Sequence, residues 1–299
     1  MLITAFLDYL LLEKKYSKHT IAAYKNDLVS FRDFCATTYE EEELSLIAYP
    51  VIRNWIVSLV NQGFTNRSIN RKISSLRSFY KFLTRTGEIL VSPLLRHKAL
   101  KVAQRVQVPF SLGEITKVLT NFENAPLCFE VLRNKLIVEL LYSTGMRRAE
   151  LIGLQETSIN FSEKTIKVLG KRNKERIIPL ISLVFQTLED YLEIKREKFM
   201  KSSSLFLTTK GNKIYETLVY RVINNYFSGV SSKTKKSPHI LRHSFATHLL
   251  NEGADLNSVK ELLGHSSLAS TQVYVHTSLS SLKKTYNQAH PRSNKNDNL

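Results

Sequence analysis

The chain has 299 residues, with 43 Lys and Arg against 26 Asp and Glu, and a formal net charge of +17. This length suits two domains, and the basic excess favours nucleic acid as a partner over a merely solvated surface. The composition argues against a secreted or membrane protein, because only Cys35 and Cys128 are present and no apolar stretch is long enough to span a bilayer. We expect two reduced core thiols in a cytoplasmic, nucleoid-associated protein.

Residues 1–87 show apolar side chains at helical spacing and predict a small all-helical domain. Ser17 is a candidate N-cap for its long helix, a shorter helix over about 51–60 ends at Gly63, and a third over 66–83 ends at Gly87. Basic residues make the third helix our candidate for the DNA groove, and the basic stretch 88–108 is predicted to be a linker along phosphates. The candidate DNA-binding residues are Arg67, Arg71, Lys72, Arg77, Lys101 and Arg105.

Residues 109–290 predict a second domain that is mainly α-helical with a small β-sheet. Ser111 and Glu114 form a capping box at its start, and an apolar helix over about 127–142 stops at Gly145. Further predicted elements are a β-hairpin of strands 165–169 and 176–180, helices near 182–199 and 216–227, and a β-like segment at 205–214. The polar tail 291–299 is predicted to be disordered.

A stretch over 238–276 holds five of the eight histidines. Pro238 suits the first position of a helix on which His239 and Arg242, three apart, share one face. Zinc binding is one alternative, because His239 and His243 are four apart, although Arg242 places a permanent cation between them. Packing in the core is the other alternative for each histidine taken alone, including His243, His248 and His276.

The segment after this helix supplies two more candidate residues. A second helix begins near Asp255 and stops at Gly264, so that His265 follows directly. A third short helical segment, opening near Ser267, carries Tyr274. Imidazoles, a guanidinium and a phenol close together in a basic protein indicate phosphate chemistry.

The run His239-x-x-Arg242, then Leu-Leu-Gly-His265-Ser, then Tyr274 nine residues later, resembles the signature of the tyrosine recombinases, the phage integrase family. More narrowly, it is similar to the Xer proteins of bacteria. Residues 144–151, Thr-Gly-Met-Arg-Arg-Ala-Glu-Leu, resemble the motif that supplies the first catalytic arginine of the family. That role maps to Arg147.

Two further positions follow from the resemblance. Glu150 of the same motif is expected to orient or pack near the site. The catalytic lysine of the family follows the glycine of the hairpin turn and maps to Lys171. Lys174 is the alternative candidate for this lysine. Here Arg172 stands where many Xer proteins have a second glycine.

The resemblance implies a covalent mechanism in which a tyrosine attacks phosphorus and holds the 3′ phosphate as an ester. The two arginines and the second histidine then stabilise the phosphoryl oxygens, the lysine protonates the 5′ oxygen, and the first histidine accepts or positions the tyrosine proton. Because the ester stores the bond energy, neither ATP nor a metal cofactor is required. The implied catalytic residues are Arg147, Lys171, His239, Arg242, His265 and Tyr274.

The implied protein has a helical, SAM-like core-binding domain and an α-rich catalytic domain, and it resolves chromosome dimers at cell division by site-specific recombination. Its implied partners are a double-stranded DNA recombination site and a DNA translocase such as FtsK. On two such sites it is implied to form a tetramer, either with itself or with a paralogous recombinase. One alternative is an integrase of a mobile element, which often adds an arm-binding domain that we do not expect here. The others are a non-catalytic DNA-binding protein of the same fold and a type IB topoisomerase.

Overall fold

The computed structural model describes residues 2–103, 107–170, 174–199 and 202–264. The chain divides into two units, residues 1–105 and 106–299, each with its own hydrophobic core. Within these described ranges, no helix is both long and apolar enough to cross a bilayer.

Helices build the first unit around one apolar core. They are α1 (Leu2–Leu12), α2 (Lys18–Tyr39), α3 (Tyr49–Asn61) and α4 (Asn66–Thr86). The predicted cap at Ser17 is confirmed, since its side chain accepts from a backbone N–H of α2, and Gly87 ends α4 with a left-handed φ of 82°. The sequence did not predict α1, in which Asp8 lies on the exposed face while Phe6 and Leu10 are buried.

A buried carboxylate ties α2 to α4. The Asp27 side chain, 2% exposed, accepts from both terminal nitrogens of Arg71 at 2.6 and 2.8 Å and from Lys72 Nζ at 3.3 Å. It also accepts from the Ser75 hydroxyl at 2.7 Å. A charge removed from water is stable only when it is paired and hydrogen-bonded, and these donors meet that need. One aspartate therefore fixes two basic side chains of α4.

The segment 88–103, predicted as a linker, packs along α4 in the first unit. Leu94 is buried in the core. The Asn70 amide donates to the Leu100 carbonyl at 2.8 Å and accepts from its N–H at 2.9 Å, and Arg77 Nη2 donates to the His97 carbonyl at 3.2 Å. Side chains of α4 therefore fix the course of this segment.

The second unit is built around α6 (Phe129–Thr144), which is buried on nearly every side and packs mainly against α8 and α10. Such a helix lies in the centre of a core rather than at its edge. The capping box of Ser111 and Glu114 is confirmed, as are the N-cap at Asp255 and the left-handed Gly264 after α11. The surrounding helices are α5 (Leu112–Glu123), α7 (Arg148–Gly153), α8 (Ser182–Lys198), α9 (Glu216–Ser228), α10 (Pro238–Asn251) and α11 (Leu256–Leu263).

An antiparallel sheet of β1 (Ile159–Asn160), β2 (Thr165–Leu169) and β3 (Glu175–Pro179) lies beside these helices in the order β1-β2-β3. The predicted hairpin is confirmed, with β3 one residue earlier than expected, whereas β1 is too short to show a periodicity. Val168 pairs with Arg176 and Ile166 with Ile178, so Arg176 shares the inward face of β3 with Ile178. The β-like segment forms an isolated bridge between Leu207 and Lys213. The predicted fold class, mainly α with a small sheet, is confirmed.

The two cysteines differ from each other. Cys35 is buried as predicted, and burial, with the Glu41 charge, raises the pKa of its thiol to about 11. The prediction that Cys128 is a core thiol was wrong, because this residue is exposed. It occupies the N-cap of α6 in an extended conformation, one residue before the side chain of Phe129 enters the core.

Candidate active site

The C-terminal end of α11 is the centre of a cluster of arginines. Three consecutive carbonyls there each accept from a different guanidinium: Leu262 from Arg176 Nε at 3.0 Å, Leu263 from Arg242 Nη2 at 2.6 Å, and Gly264 from Arg147 Nη2 at 3.1 Å. The last carbonyls of a helix lack partners within it and carry its negative dipole end, so cations are favoured there. Residues far apart in sequence thereby converge on the point where the chain leaves α11.

Arg147 lies at the N-cap of α7, as predicted. A cation is disfavoured at a helix N-terminus unless an anion accompanies it, and Glu150 in the first turn supplies that anion. The Glu150 carboxylate accepts from the Arg147 backbone N–H at 2.8 Å and from its Nη1 at 2.7 Å. Glu150 therefore packs against Arg147. The Arg147 side chain keeps 28% exposure, so part of it still faces solvent.

Arg242 reaches the same place from α10. Its Nη1 donates to the carbonyl of Gly145, the left-handed residue that ends α6, and its Nη2 donates to Leu263. Burial, together with the neighbouring Arg147 charge, lowers the pKa of Arg242 to about 10. The group therefore stays charged at neutral pH. Two of its five N–H groups are used by these described partners, which leaves donors for an anion.

A second arginine shares the Glu150 carboxylate with Arg147. Arg176 on β3 donates from Nη1 to Oε1 at 3.1 Å and from Nη2 to Oε2 at 2.7 Å, a two-pronged pair. Burial alone raises the pKa of Glu150, but the hydrogen bonds and charge of Arg176 and Arg147 outweigh it, so the pKa is lowered. Arg147 and Arg176 bind this one carboxylate and Arg242 lies close enough to interact with its charge, so the three guanidiniums leave the site cationic.

The structure brings two of the six predicted catalytic residues together, Arg147 and Arg242. His239 lies exposed on the first turn of α10, one turn before Arg242. The other three, Lys171, His265 and Tyr274, lie outside the described residues, as does the predicted helical segment near residue 267.

The neighbours of two of these residues along the chain are described. The Gly170 N–H donates to the Lys174 carbonyl at 2.8 Å. The two residues that flank positions 171–173 are therefore hydrogen-bonded to each other. His265 directly follows Gly264, whose carbonyl holds Arg147. Lys174, the alternative lysine, is exposed.

The remaining histidines of α10 differ in burial. His248 lies in the core, where its Nδ1 is 3.0 Å from the Tyr142 hydroxyl and burial lowers its pKa. His243 is exposed. In the part of the chain that the structure describes, no three His, Cys, Asp or Glu side chains come close enough to hold a metal ion.

Two family models match this chain in tandem: the phage integrase N-terminal SAM-like domain over residues 3–87, and the phage integrase family over residues 108–280. The second model spans more than half of the chain and contains every residue of the arginine cluster. The chain belongs to the phage integrase family. It is a site-specific tyrosine recombinase, an enzyme that breaks and rejoins DNA strands, as its sequence motifs indicated.

Relatives agree with this assignment over nearly the full length of the recombinase. It is 39% identical over 303 residues to a protein named tyrosine recombinase XerC from Oceanobacillus iheyensis, covering 98% of this chain and 97% of the relative. It is 37% identical over 312 residues to another of that name from Chlorobaculum parvum, covering 96% and 93%. The narrower resemblance to Xer proteins is thereby confirmed.

Solved structures show the same fold. The XerH site-specific recombinase bound to palindromic difH substrate, in a post-cleavage complex, matches with a TM-score of 0.70 and 23% identity over 89% of this chain and 78% of that one. A lambda integrase dimer bound to a COC′ core site matches with a TM-score of 0.66 and 18% identity, over 88% and 95%.

The predicted DNA-binding residues of the recombinase fall into two groups. Arg67, Arg77 and Lys101 are exposed in the first unit. Arg71 is 54% exposed while it pairs with Asp27, and Lys72 is only 12% exposed. Lys72 also lies over the Trp55 ring at 5.9 Å, so it offers little surface to a partner. Arg105 lies outside the described residues.

Arg176 is the residue of the cluster that sequence reasoning missed. Its strand was predicted, but no role was given to this side chain. A signal was present, because alternation along β3 places Arg176 on the face of buried Ile178, where a cation needs a partner. That partner, Glu150, is 26 residues away in sequence, so its identity required the fold.

Proposed function

We propose that this recombinase cleaves and rejoins DNA at a specific site through a covalent 3′-phosphotyrosine formed by Tyr274. The observation that carries the proposal is the convergence of Arg147 and Arg242 on the carbonyls that end α11. The next residue in the chain is His265, and Tyr274 follows nine residues later. Two permanent cations therefore lie at the start of the segment that bears the proposed nucleophile.

The arginines supply charge compensation in this proposal. Attack on a phosphodiester concentrates negative charge on the non-bridging oxygens, and preorganised guanidiniums stabilise that charge without rearrangement. Arg147 and Arg242 each retain donors beyond those used by their described partners. His265 is proposed to add a further donor to the same oxygens.

Proton transfers complete the step. As the Tyr274 oxygen forms its bond to phosphorus, the bond to the 5′ oxygen breaks and that oxygen takes a proton from Lys171. An ammonium can give up a proton at neutral pH and a guanidinium cannot, which favours lysine for this role. His239 is proposed to accept or position the tyrosine proton. Attack by a 5′ hydroxyl on the ester reverses these transfers and reseals the strand.

The biological role that we propose is resolution of chromosome dimers at cell division, in the cytoplasm and on the nucleoid. Sequence identity of 37–39% to proteins named XerC supports this role. Four protomers, of this chain alone or with a paralogous recombinase, would join two double-stranded DNA sites, and a DNA translocase such as FtsK would act with them. Structural neighbours bound to difH DNA and to a COC′ core site support the DNA partner.

The two family models support a division of labour in which residues 1–87 bind the core of the site, 88–108 link the domains, 109–290 catalyse and 291–299 form a tail. Exposed basic side chains of α4 and the following segment are proposed to contact phosphates. They are Arg67, Arg71, Arg77 and Lys101. Arg105, which lies outside the described residues, is proposed to contact phosphates as well.

The test uses a nicked suicide substrate, on which cleavage traps the covalent adduct. Tyr274→Phe should abolish the adduct and leave DNA binding nearly intact, because one oxygen is lost. Tyr286→Phe, a matched change nearer the C-terminus, should leave the adduct in place. An adduct that persists in Tyr274→Phe would reject the assignment of the nucleophile, and its loss in Tyr286→Phe alone would move the assignment to Tyr286.

A further inference from the structure

We infer that Arg176 is a positioning residue that keeps the Arg147 charge available to the scissile phosphate. The inference rests on the proposed function and deepens it by adding a residue to the machinery. Arg176 is not proposed to touch the phosphate itself. It acts through Glu150 and through the end of α11.

The contacts of Arg176 join three elements. From β3 its guanidinium donates twice to Glu150 of α7 and its Nε donates to Leu262 of α11. The side chain is 14% exposed, so these bonds form largely out of water. A planar fork can satisfy two carboxylate oxygens and a carbonyl at once, whereas a lysine ammonium is a single point of charge. Residue 176 therefore fixes the orientation of the Glu150 carboxylate.

The contact between Arg176 and Glu150 affects catalysis through the charge that Glu150 shares with Arg147. Glu150 Oε1 accepts from Arg147 Nη1 at 2.7 Å and from Arg176 Nη1 at 3.1 Å, so the two guanidiniums share one negative charge. Without Arg176, the full charge of the carboxylate would fall on Arg147. An arginine neutralised in this way stabilises a developing phosphoryl charge less well.

Two glycines lie against Arg176, where their lack of a side chain leaves room for its guanidinium. A Cβ at Gly264 would lie 3.3 Å from both Cδ and Nη1 of Arg176, tighter than an ordinary contact. A Cβ at Gly170 would lie 3.2 Å from the Lys174 carbonyl and 3.5 Å from Arg176 Nη1. Backbone therefore approaches this guanidinium closely from both the hairpin and the end of α11. A side chain held this closely can transmit its position to Arg147.

The test compares two suicide substrates, one with a normal scissile phosphate and one with a methylphosphonate, which lacks the non-bridging charge. Arg176→Gln should slow single-turnover cleavage of the normal substrate by about 10–100-fold, the usual loss when a supporting residue is removed. DNA affinity should change little. On the methylphosphonate the loss should shrink, because less charge has to be stabilised. Arg147→Ala should show the same pattern more strongly.

Arg176→Lys is the second variant, in case Arg176→Gln folds poorly. It keeps a positive charge and loses the fork, so we expect a smaller loss that also shrinks on the methylphosphonate. Arg196→Gln is the control, because Arg196 also pairs with a glutamate, Glu156 at 3.4 Å, but from the exposed side of α8. This control should cleave both substrates like the wild type.

Two results would overturn the inference. One is unchanged cleavage in Arg176→Gln and Arg176→Lys, and the other is an equal loss on both substrates, which a merely structural role produces. Failure of the proposed function looks different, since the wild type itself would then form no adduct on the normal substrate.

Discussion

Gly145 ends α6 in a position that should tolerate no side chain. Its φ of +59° is left-handed, which costs about 1–2 kcal/mol for a residue with a Cβ. A Cβ there would also clash with the Phe245 ring and lie 2.8 Å from Leu263 Cδ2, and overpacking of this kind costs about 1–3 kcal/mol. We expect Gly145→Ala to lower the free energy of unfolding by about 2–5 kcal/mol.

The assay is urea unfolding of the full chain, followed by circular dichroism and by tryptophan fluorescence. The single tryptophan, Trp55, lies in the first unit, so the fluorescence midpoint should move less than the circular dichroism midpoint. Gly253→Ala is the matched control in the same unit as Gly145, since Gly253 has a φ of +85° and a Cβ added to it would meet nothing within 4 Å. It should cost only the about 1–2 kcal/mol of backbone strain. Equal losses in the two variants would refute the packing argument.

Three other changes test separate parts of the molecule. Hydrogen bonds from Lys233 and Ser111 outweigh burial and lower the pKa of Glu114 to about 2. Glu114→Gln should therefore lower the free energy of unfolding at pH 7. In urea titrations, this difference from the wild type should vanish as the pH falls from about 4.5 towards 2. Asp27→Asn should lower the free energy of unfolding, followed by tryptophan fluorescence, by on the order of 3 kcal/mol, because the largely buried Lys72 loses its charged partner and Arg71 loses its two-pronged one. Asp33→Asn, at an exposed pair, should cost under about 1 kcal/mol. Lys171→Ala should slow cleavage of normal DNA far more than of DNA with sulfur at the 5′ bridging position; rescue seen only with Lys174→Ala would move the general acid to Lys174.

Local signals in the sequence were sufficient for much of the fold. Ser17, Ser111 and Asp255 cap their helices as predicted, because a cap depends on a few neighbouring residues. Gly145 and Gly264 end helices for the same reason. The catalytic motif likewise placed Arg147 and Arg242 in one site, since residue order and spacing carried the resemblance.

Contacts between distant residues could not be predicted in this way. Nothing near Arg71 in sequence indicates that it pairs with Asp27, 44 positions earlier, and its charge alone suggested a DNA contact. Arg176 and Glu150 meet only because the sheet packs beside α7. Cys128 was misplaced because apolar neighbours suggested burial, whereas the start of α6 leaves the residue exposed.

The covalent link between enzyme and DNA identifies the nucleophile and the polarity of the intermediate. The wild-type recombinase would be trapped on a nicked suicide substrate, digested with protease and nuclease, and the nucleotide-bearing peptide identified by mass spectrometry. We expect a 3′-phosphate ester on Tyr274 and on no other residue. An ester on a different side chain, or a 5′-linked nucleotide, would contradict it.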